Sequence, residues 1–125
     1  DKAIVLAPRL AEAYNGRGYV YARQSQFDRA IADYDKAIEL DPRLVIAYDG
    51  RGLMYRNKGE FDKAIVDFTK AVELDPNYAK AYFNRAYAYN KKGDKAQAKS
   101  DLEKCIQLST DAELTKAAKQ LLERL

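Results

Sequence analysis

The chain has 125 residues, 47% apolar and 33% charged, which is enough for one folded domain with a thin core. Its 22 basic and 19 acidic residues give a formal charge of +3 without a basic block, which argues against a nucleic-acid-binding arm. With no histidine and one cysteine, Cys105, an internal disulfide and the usual zinc ligand sets are excluded. We therefore expect no metal and no cofactor, no membrane span, and a reducing, cytoplasmic location.

The first segment, residues 1–10, resembles a later part of the chain. Its run Asp-Lys-Ala-Ile-Val-Leu-Ala-Pro is similar to Asp-Lys-Ala-Ile-Glu-Leu-Asp-Pro at 35–42. We interpret it as the remnant of the second helix of a preceding repeat. The chain is then expected to be a piece of a longer array.

Three units with a 34-residue period follow, at 11–44, 45–78 and 79–111. An Ala-Tyr pair recurs at 13–14, 47–48 and 81–82, and about half of the positions are identical between the first two units. Residues that recur on this period are Tyr21, Tyr55 and Tyr89; Ala30, Ala64 and Ala98; Lys36, Lys70 and Lys104; Leu40, Leu74 and Leu108.

Each unit reads as two helices, because its apolar residues recur at three- and four-residue spacing. The predicted helices lie at about 11–24, 27–40, 45–58, 61–74, 79–92 and 95–108. Gly59 and Gly93 mark the turn inside two units, and Ser25 must take the same conformation at some cost. Pro42 and Pro76 mark the turns between units, because proline cannot continue a helix.

A final helix at 112–125 is predicted to close the array. Thr110 and Glu113 have the spacing of a capping box. One face is apolar, comprising Leu114, Ala117, Ala118, Leu121, Leu122 and Leu125, and the other is polar, comprising Lys116, Lys119, Gln120, Glu123 and Arg124.

Eight positions of the first unit carry a family resemblance: Ala13-Tyr14, Gly18, Tyr21, Ala30, Tyr34, Ala37 and Pro42. They resemble the tetratricopeptide repeat signature, with tyrosine in place of its usual tryptophan. The second unit repeats the pattern, and the third departs from it at Ala86, Leu102, Cys105 and Thr110. The resemblance implies an all-α, right-handed superhelix (an α-solenoid) of antiparallel helix pairs.

The resemblance also implies a function, namely a scaffold or adaptor that binds a partner protein or peptide in a concave groove. An acidic segment or a C-terminal carboxylate is the expected chemistry of the partner. Self-association, in which the chain is a homo-oligomerisation module that assembles arrays, is the alternative. The expected groove residues are Asn15, Tyr19, Arg23, Asp49, Leu53, Arg56, Lys80, Phe83, Asn84, Tyr87 and Lys91.

Some tetratricopeptide proteins hold the carboxylate end of heat-shock proteins with a five-residue clamp, which this sequence lacks. Lys80 occupies one clamp position, but Asn15, Tyr19, Gly50 and Asn84 occupy the other four. In the next register only Asn84 matches. We also expect no enzyme, because there is no histidine, no phosphate-binding glycine loop and no nucleophile beside a base.

Arginine and aspartate recur on facing helices of every unit. Arg17, Arg51 and Arg85 lie on the first helices, and Asp33, Asp67 and Asp101 lie on the second helices. Antiparallel packing predicts a repeated, partly buried ion pair that sets the helix register. We interpret these residues as structural and not as a ligand site.

Overall fold

The computed structural model describes the backbone of residues 2–125 and the side chains of residues 7–125; Asp1 lies outside the described part. The described residues form seven helices and no strand. They are α1 (Lys2–Arg23), α2 (Phe27–Leu40), α3 (Val45–Asn57), α4 (Phe61–Leu74), α5 (Ala79–Lys91), α6 (Lys95–Leu108) and α7 (Ala112–Arg124).

The helices pack as antiparallel pairs, α1 with α2, α3 with α4 and α5 with α6, and α7 packs on α6. Further contacts join α2 to α3 and α4 to α5, so each pair stacks on the next. The first helices of successive pairs also touch, α1 with α3 and α3 with α5, and together they line the concave side. The fold is the predicted all-α superhelix of antiparallel helix pairs.

The start of α1 differs from the prediction, because the helix runs through Pro8 from Lys2 instead of beginning near residue 11. At the two turns between pairs an aspartate precedes the proline. The Asp41 carboxylate accepts a hydrogen bond from the Arg43 backbone at 3.1 Å, which turns the chain away from helical geometry. Ala7 stands at the matching position and cannot form that turn. Whether residues 1–10 are the remnant of a preceding repeat stays a prediction, as do the unit boundaries.

The turns inside the pairs have the predicted backbone conformation. Gly59 and Gly93 have φ values of 80° and 86°, and Ser25 has a φ of 58°. The left-handed region is open to glycine and costs roughly 1 kcal/mol for a residue with a Cβ. Ser25 therefore carries backbone strain that its two glycine counterparts avoid.

The core combines alanine with aromatic rings, and glycine lets the helices approach each other. A Cβ built on Gly52 would lie 2.6 Å from Cε1 of Phe68 on the facing helix. Cys105 is fully buried and packs as a small core residue, and this burial raises the pKa of its thiol to about 11. A Cβ built on Gly18 would likewise lie 3.1 Å from Cε1 of Tyr34 on the facing helix.

All three predicted ion pairs are present and use two hydrogen bonds each. In the second, Arg51 Nε donates to Asp67 Oδ2 at 2.9 Å and Nη2 donates to Oδ1 at 2.8 Å. The pairs of Arg17 with Asp33 and of Arg85 with Asp101 have the same geometry. The aspartates are buried, so the pairs fix the register of the helices.

The cap of α7 corrects one prediction, because Asp111 and not Thr110 caps the helix. The Asp111 carboxylate accepts hydrogen bonds from the Glu113 and Leu114 backbone at 2.9 and 3.4 Å. A charged oxygen at a helix N-terminus is favoured by the helix dipole, so the helix begins one residue later than a Thr110 cap would set it. The predicted apolar face of α7 packs on α6, chiefly through Ala118 and its leucines, and the predicted polar face is exposed.

Across the part of the chain that the structure describes, no helix has the length and apolar character of a membrane span.

Candidate functional site

A cavity of about 420 Å³ opens on the concave side, where α1, α3 and the start of α5 meet. Five residues of the predicted groove line it: Asn15, Tyr19, Asp49, Leu53 and Lys80. The side chains of Tyr19 and Ile46, 55% and 49% exposed, stand at its edge. The volume is in the range of pockets that take a ligand group in proteins.

The cavity wall also contains residues that the sequence analysis did not include in the groove. They are Gly16, Ala22, Tyr34, Gly50, Met54 and Tyr78. Tyr34 belongs to the second helix of the first pair, but its ring reaches the cavity because Gly50 has no side chain; a Cβ there would lie 2.6 Å from its Cζ. Burial raises the pKa of Tyr34 to about 12, with a smaller contribution from Asp49. The recurrence of glycine at Gly16 and Gly50, one period apart, is the feature of the sequence that could have indicated this open space.

Asn15 supplies a polar group without a partner at this cavity. Its Oδ1 is buried and accepts no hydrogen bond from the residues that the structure describes. A buried amide oxygen without a donor costs free energy, and a ligand N–H group would remove that cost. The cavity wall is thus mainly apolar, and one unpaired acceptor is buried in it.

Asp49 and Asn84 lie differently from the prediction, because both are buried instead of facing solvent, at 4% and 3% exposure. Asn84 Nδ2 donates to Asp49 Oδ1 at 3.0 Å, and the Tyr78 hydroxyl donates to Oδ2 at 3.4 Å. The helices α3 and α5 are in contact, and this hydrogen-bonded pair links them. Burial raises the pKa of Asp49, while the hydrogen bond from Asn84, the charge of Lys80 and the hydrogen bond from Tyr78 oppose the shift.

Further along the groove, Arg56 lies over the ring of Tyr87, with its Cζ 4.4 Å from the ring centroid. Lys91 Nζ lies 5.5 Å from the same centroid. Burial lowers the pKa of Arg56, and electrostatic interactions with Tyr87 and Asp49 oppose this shift. Two cations thus lie beside one aromatic ring on the predicted groove.

The remaining two predicted residues contribute less to the cavity. Arg23 is exposed and donates to the Tyr19 hydroxyl at 3.3 Å. Phe83 packs against the core cluster of the third pair, formed around Leu102 and Cys105, and does not line the cavity. Phe83 is a core residue at the position where the first two units have the polar residues Asn15 and Asp49.

The arrangement suits binding and shows no reactive constellation. Within residues 7–125, no group of three or more Asp, Glu or Cys side chains could hold a metal ion. The cavity can take an apolar side chain while Asn15 contacts a polar group beside it.

Comparison with known families gives three matches along the chain. Profiles described as tetratricopeptide repeat match residues 11–44 and 79–111, and one described as TPR repeat matches 52–93. The sequence has no match among curated proteins.

Solved structures give the same result. The first repeat domain of Spaghetti (RPAP3), bound to the HSP90 peptide SRMEEVD, is 27% identical with a TM-score of 0.85, and the match covers 94% of each chain. The TPR2B domain of yeast Sti1, in a complex with an Hsp70 peptide, is 25% identical with a TM-score of 0.88, covering 93% of this chain and 95% of that one. The N-terminal domain of STI-1 from C. elegans is 29% identical with a TM-score of 0.79, covering 92% and 96%.

Signature residues, paired helices, family profiles and solved structures agree. The chain belongs to the tetratricopeptide repeat family.

Proposed function

We propose that the chain is a scaffold or adaptor that binds a partner protein through an extended segment lying in the concave groove. The observation that carries this proposal is the cavity between α1, α3 and α5, with Tyr19 and Ile46 exposed at its edge. An apolar side chain of the partner fills this cavity, and Asn15 contacts the adjacent backbone. The function is non-catalytic, in keeping with a family of protein-interaction modules.

The relatives support a peptide ligand but not the same peptide. The RPAP3 domain has an HSP90 peptide bound. In this chain four of the five positions of the heat-shock clamp hold Asn15, Tyr19, Gly50 and Asn84, and Asn84 is already bonded to Asp49. A different peptide, selected by the cavity, is therefore proposed.

Selection of random peptides displayed on phage, using the purified chain, tests the proposal. We expect selected peptides to share a large apolar residue. The double variant Tyr19→Ala, Ile46→Ala should weaken their binding about ten-fold or more, because both edges of the cavity are removed. Both residues are exposed, so the fold should be retained, which circular dichroism checks.

The matched control is Val66→Ala, which removes a similar side chain at a site that is 67% exposed and does not line the cavity. Binding of the selected peptides should be unchanged in this control. Peptides that bind the double variant as tightly as the parent would place the ligand elsewhere and contradict the proposal.

Self-association is a second candidate, favoured by the uncovered outer face of α1. Ala13 is exposed, whereas its counterparts Ala47 and Ala81 are fully buried by the preceding pair. Leu10 and Val20 are exposed apolar residues of the same helix. A second copy of the chain could cover this face, since α7 presents a polar surface at the other end.

Light scattering over a concentration series separates the two candidates. A mass that grows with concentration, and returns to the monomer value in Leu10→Lys, Val20→Lys, favours self-association. A constant monomer mass excludes it and leaves the groove proposal in place.

A further inference from the structure

Arg56 is the exception among the partly buried arginines of the described chain. Arg51 and Arg85 each bind a buried aspartate through two hydrogen bonds. Arg56 has no carboxylate within 4.0 Å among residues 7–125 and donates no side-chain hydrogen bond to them. A partly buried cation without an opposite charge is costly, so this position favours an anionic ligand.

Asp49 is the internal carboxylate that acts on Arg56, but other residues already donate hydrogen bonds to it. The donors are Asn84 and the Tyr78 hydroxyl. A second cation, Lys91, lies beside the same Tyr87 ring as Arg56. We name Arg56, Tyr87 and Lys91 the Arg56 subsite. It presents two cations whose orientation is restricted by one ring.

A carboxylate matches this subsite in shape as well as in charge. The guanidinium can donate two parallel hydrogen bonds to the two oxygens of a carboxylate, and such charge-assisted bonds are about twice as strong as neutral ones. The contact of the Arg56 guanidinium with the Tyr87 ring restricts the side chain and so reduces the entropy lost on binding.

The distance from the cavity sets where the carboxylate lies in the ligand. Ile46 and Leu53 line the cavity, and Arg56 follows on the same helix. With a helical rise of about 1.5 Å per residue, Arg56 lies roughly 10 Å from the middle of the cavity along the helix axis. An extended peptide advances about 3.3 Å per residue, so the separation corresponds to about three residues.

We propose that the Arg56 subsite binds the side-chain carboxylate of an aspartate or glutamate that lies about three residues from the apolar side chain in the cavity. This inference rests on the proposed function and adds the charge and spacing of the ligand. The partner is a protein segment with an apolar residue and an acidic residue at that spacing.

The test uses a library of peptides with a central leucine, randomised flanks and amidated C-termini, so that acidic side chains are the only carboxylates. The parent should select aspartate or glutamate about three positions from the leucine on one side. For a selected peptide, changing its acid to the amide should weaken binding to the parent about ten-fold or more, measured by fluorescence anisotropy. The same change should have no effect on binding to Arg56→Gln.

Two matched variants control for charge and folding. Arg43→Gln removes the same charge from an exposed loop residue, and it should respond to the peptide change as the parent does. Arg56→Lys keeps the charge and should recover part of the acid preference. Circular dichroism and thermal melting show whether each variant is folded.

The other outcomes overturn the inference in distinguishable ways. Binding of the leucine peptides without an acid preference, or an acid preference that persists in Arg56→Gln, contradicts the Arg56 subsite and leaves the groove function standing. If no peptide of the library binds the parent, the groove function fails and the inference fails with it. If peptides with a free C-terminus and no acidic side chain bind equally well, the ligand is a terminal carboxylate and the side-chain assignment is wrong.

Discussion

Arg51 on α3 binds Asp67 on α4 through two hydrogen bonds, and the same guanidinium also donates from Nη1 to Asp35 Oδ1 on α2 at 2.9 Å. Arg51 therefore connects three helices. Arg85 repeats the arrangement one period later, with Thr69 in the place of Asp35 at 3.3 Å. One arginine therefore sets the register inside its own pair and against the preceding pair. Asp67 lies 16 residues after Arg51 in the sequence, and Asp35 lies 16 residues before it.

Removing one partner of this pair should cost more than replacing both. Arg51→Met leaves the buried Asp67 carboxylate without its counter-charge and should lower the free energy of unfolding by about 3 kcal/mol. Arg51→Met combined with Asp67→Leu removes both charges and should be more stable than the single variant. Urea unfolding followed by circular dichroism measures both. A double variant less stable than Arg51→Met would show that the pair stabilises the fold directly.

The sequence predicted the framework well because that framework is periodic. Signature residues, turn glycines and the ion pairs recur every 34 residues, and each recurrence supports the others. The predicted helix limits agree with the structure within one residue except at the start of α1. There, one substitution decided the outcome, since Ala7 cannot make the side-chain turn that Asp41 makes.

The groove was harder to predict because its residues differ from unit to unit. The side chains of Asp49 and Asn84 meet because α3 and α5 are in contact, and no local pattern reports how closely helices of neighbouring units approach. Tyr34 reaches the cavity from the second helix because Gly50 leaves room. Such contacts depend on the distance between neighbouring units, which a sequence pattern does not give.

Asp49 should make stability depend on pH. Burial raises its pKa above the ordinary value of 3.8, so the folded chain binds more protons than the unfolded chain just above that pH. The Asp49 contribution to the free energy of unfolding therefore falls as pH rises from about 3.8 through the folded-state pKa. Asp49→Asn removes this dependence, and its stability relative to the parent should increase with pH, by about 1.4 kcal/mol for each unit by which the pKa is raised.

Urea unfolding of the parent and of Asp49→Asn at several pH values measures this difference. Glu12→Gln is the control, because it removes a carboxylate that is exposed on α1. A stability difference between Asp49→Asn and the parent that is constant between acid and neutral pH would contradict the assignment.

Gly16 and Gly50 occupy equivalent positions one period apart but should respond oppositely to alanine. A Cβ on Gly16 meets no atom within 4 Å, so Gly16→Ala should stabilise the chain by about 0.5–1 kcal/mol through helix propensity. A Cβ on Gly50 would lie 2.6 Å from Cζ of Tyr34, and Gly50→Ala should destabilise by about 1–3 kcal/mol. Thermal melting of the two variants compares them directly. Equal shifts of the same sign would show that the approach of Tyr34 to Gly50 is not tight in solution.

Deleting residues 112–125 should destabilise the third pair and cause aggregation. Four leucines of this segment, Leu114, Leu121, Leu122 and Leu125, pack on a core that includes Leu102 and Cys105. Removing these four partly buried side chains costs roughly 1 kcal/mol each. Solenoid stability is close to a sum over neighbours, so the newly exposed face of α6 has no other cover. Light scattering should show association, and the melting temperature should fall by about 10 °C or more.

Two point variants control for the deletion. Leu122→Asp should act in the same direction, and Gln120→Asp, on the polar face, should have little effect. A truncated chain that stays monomeric with unchanged melting would show that α7 does not cap the array.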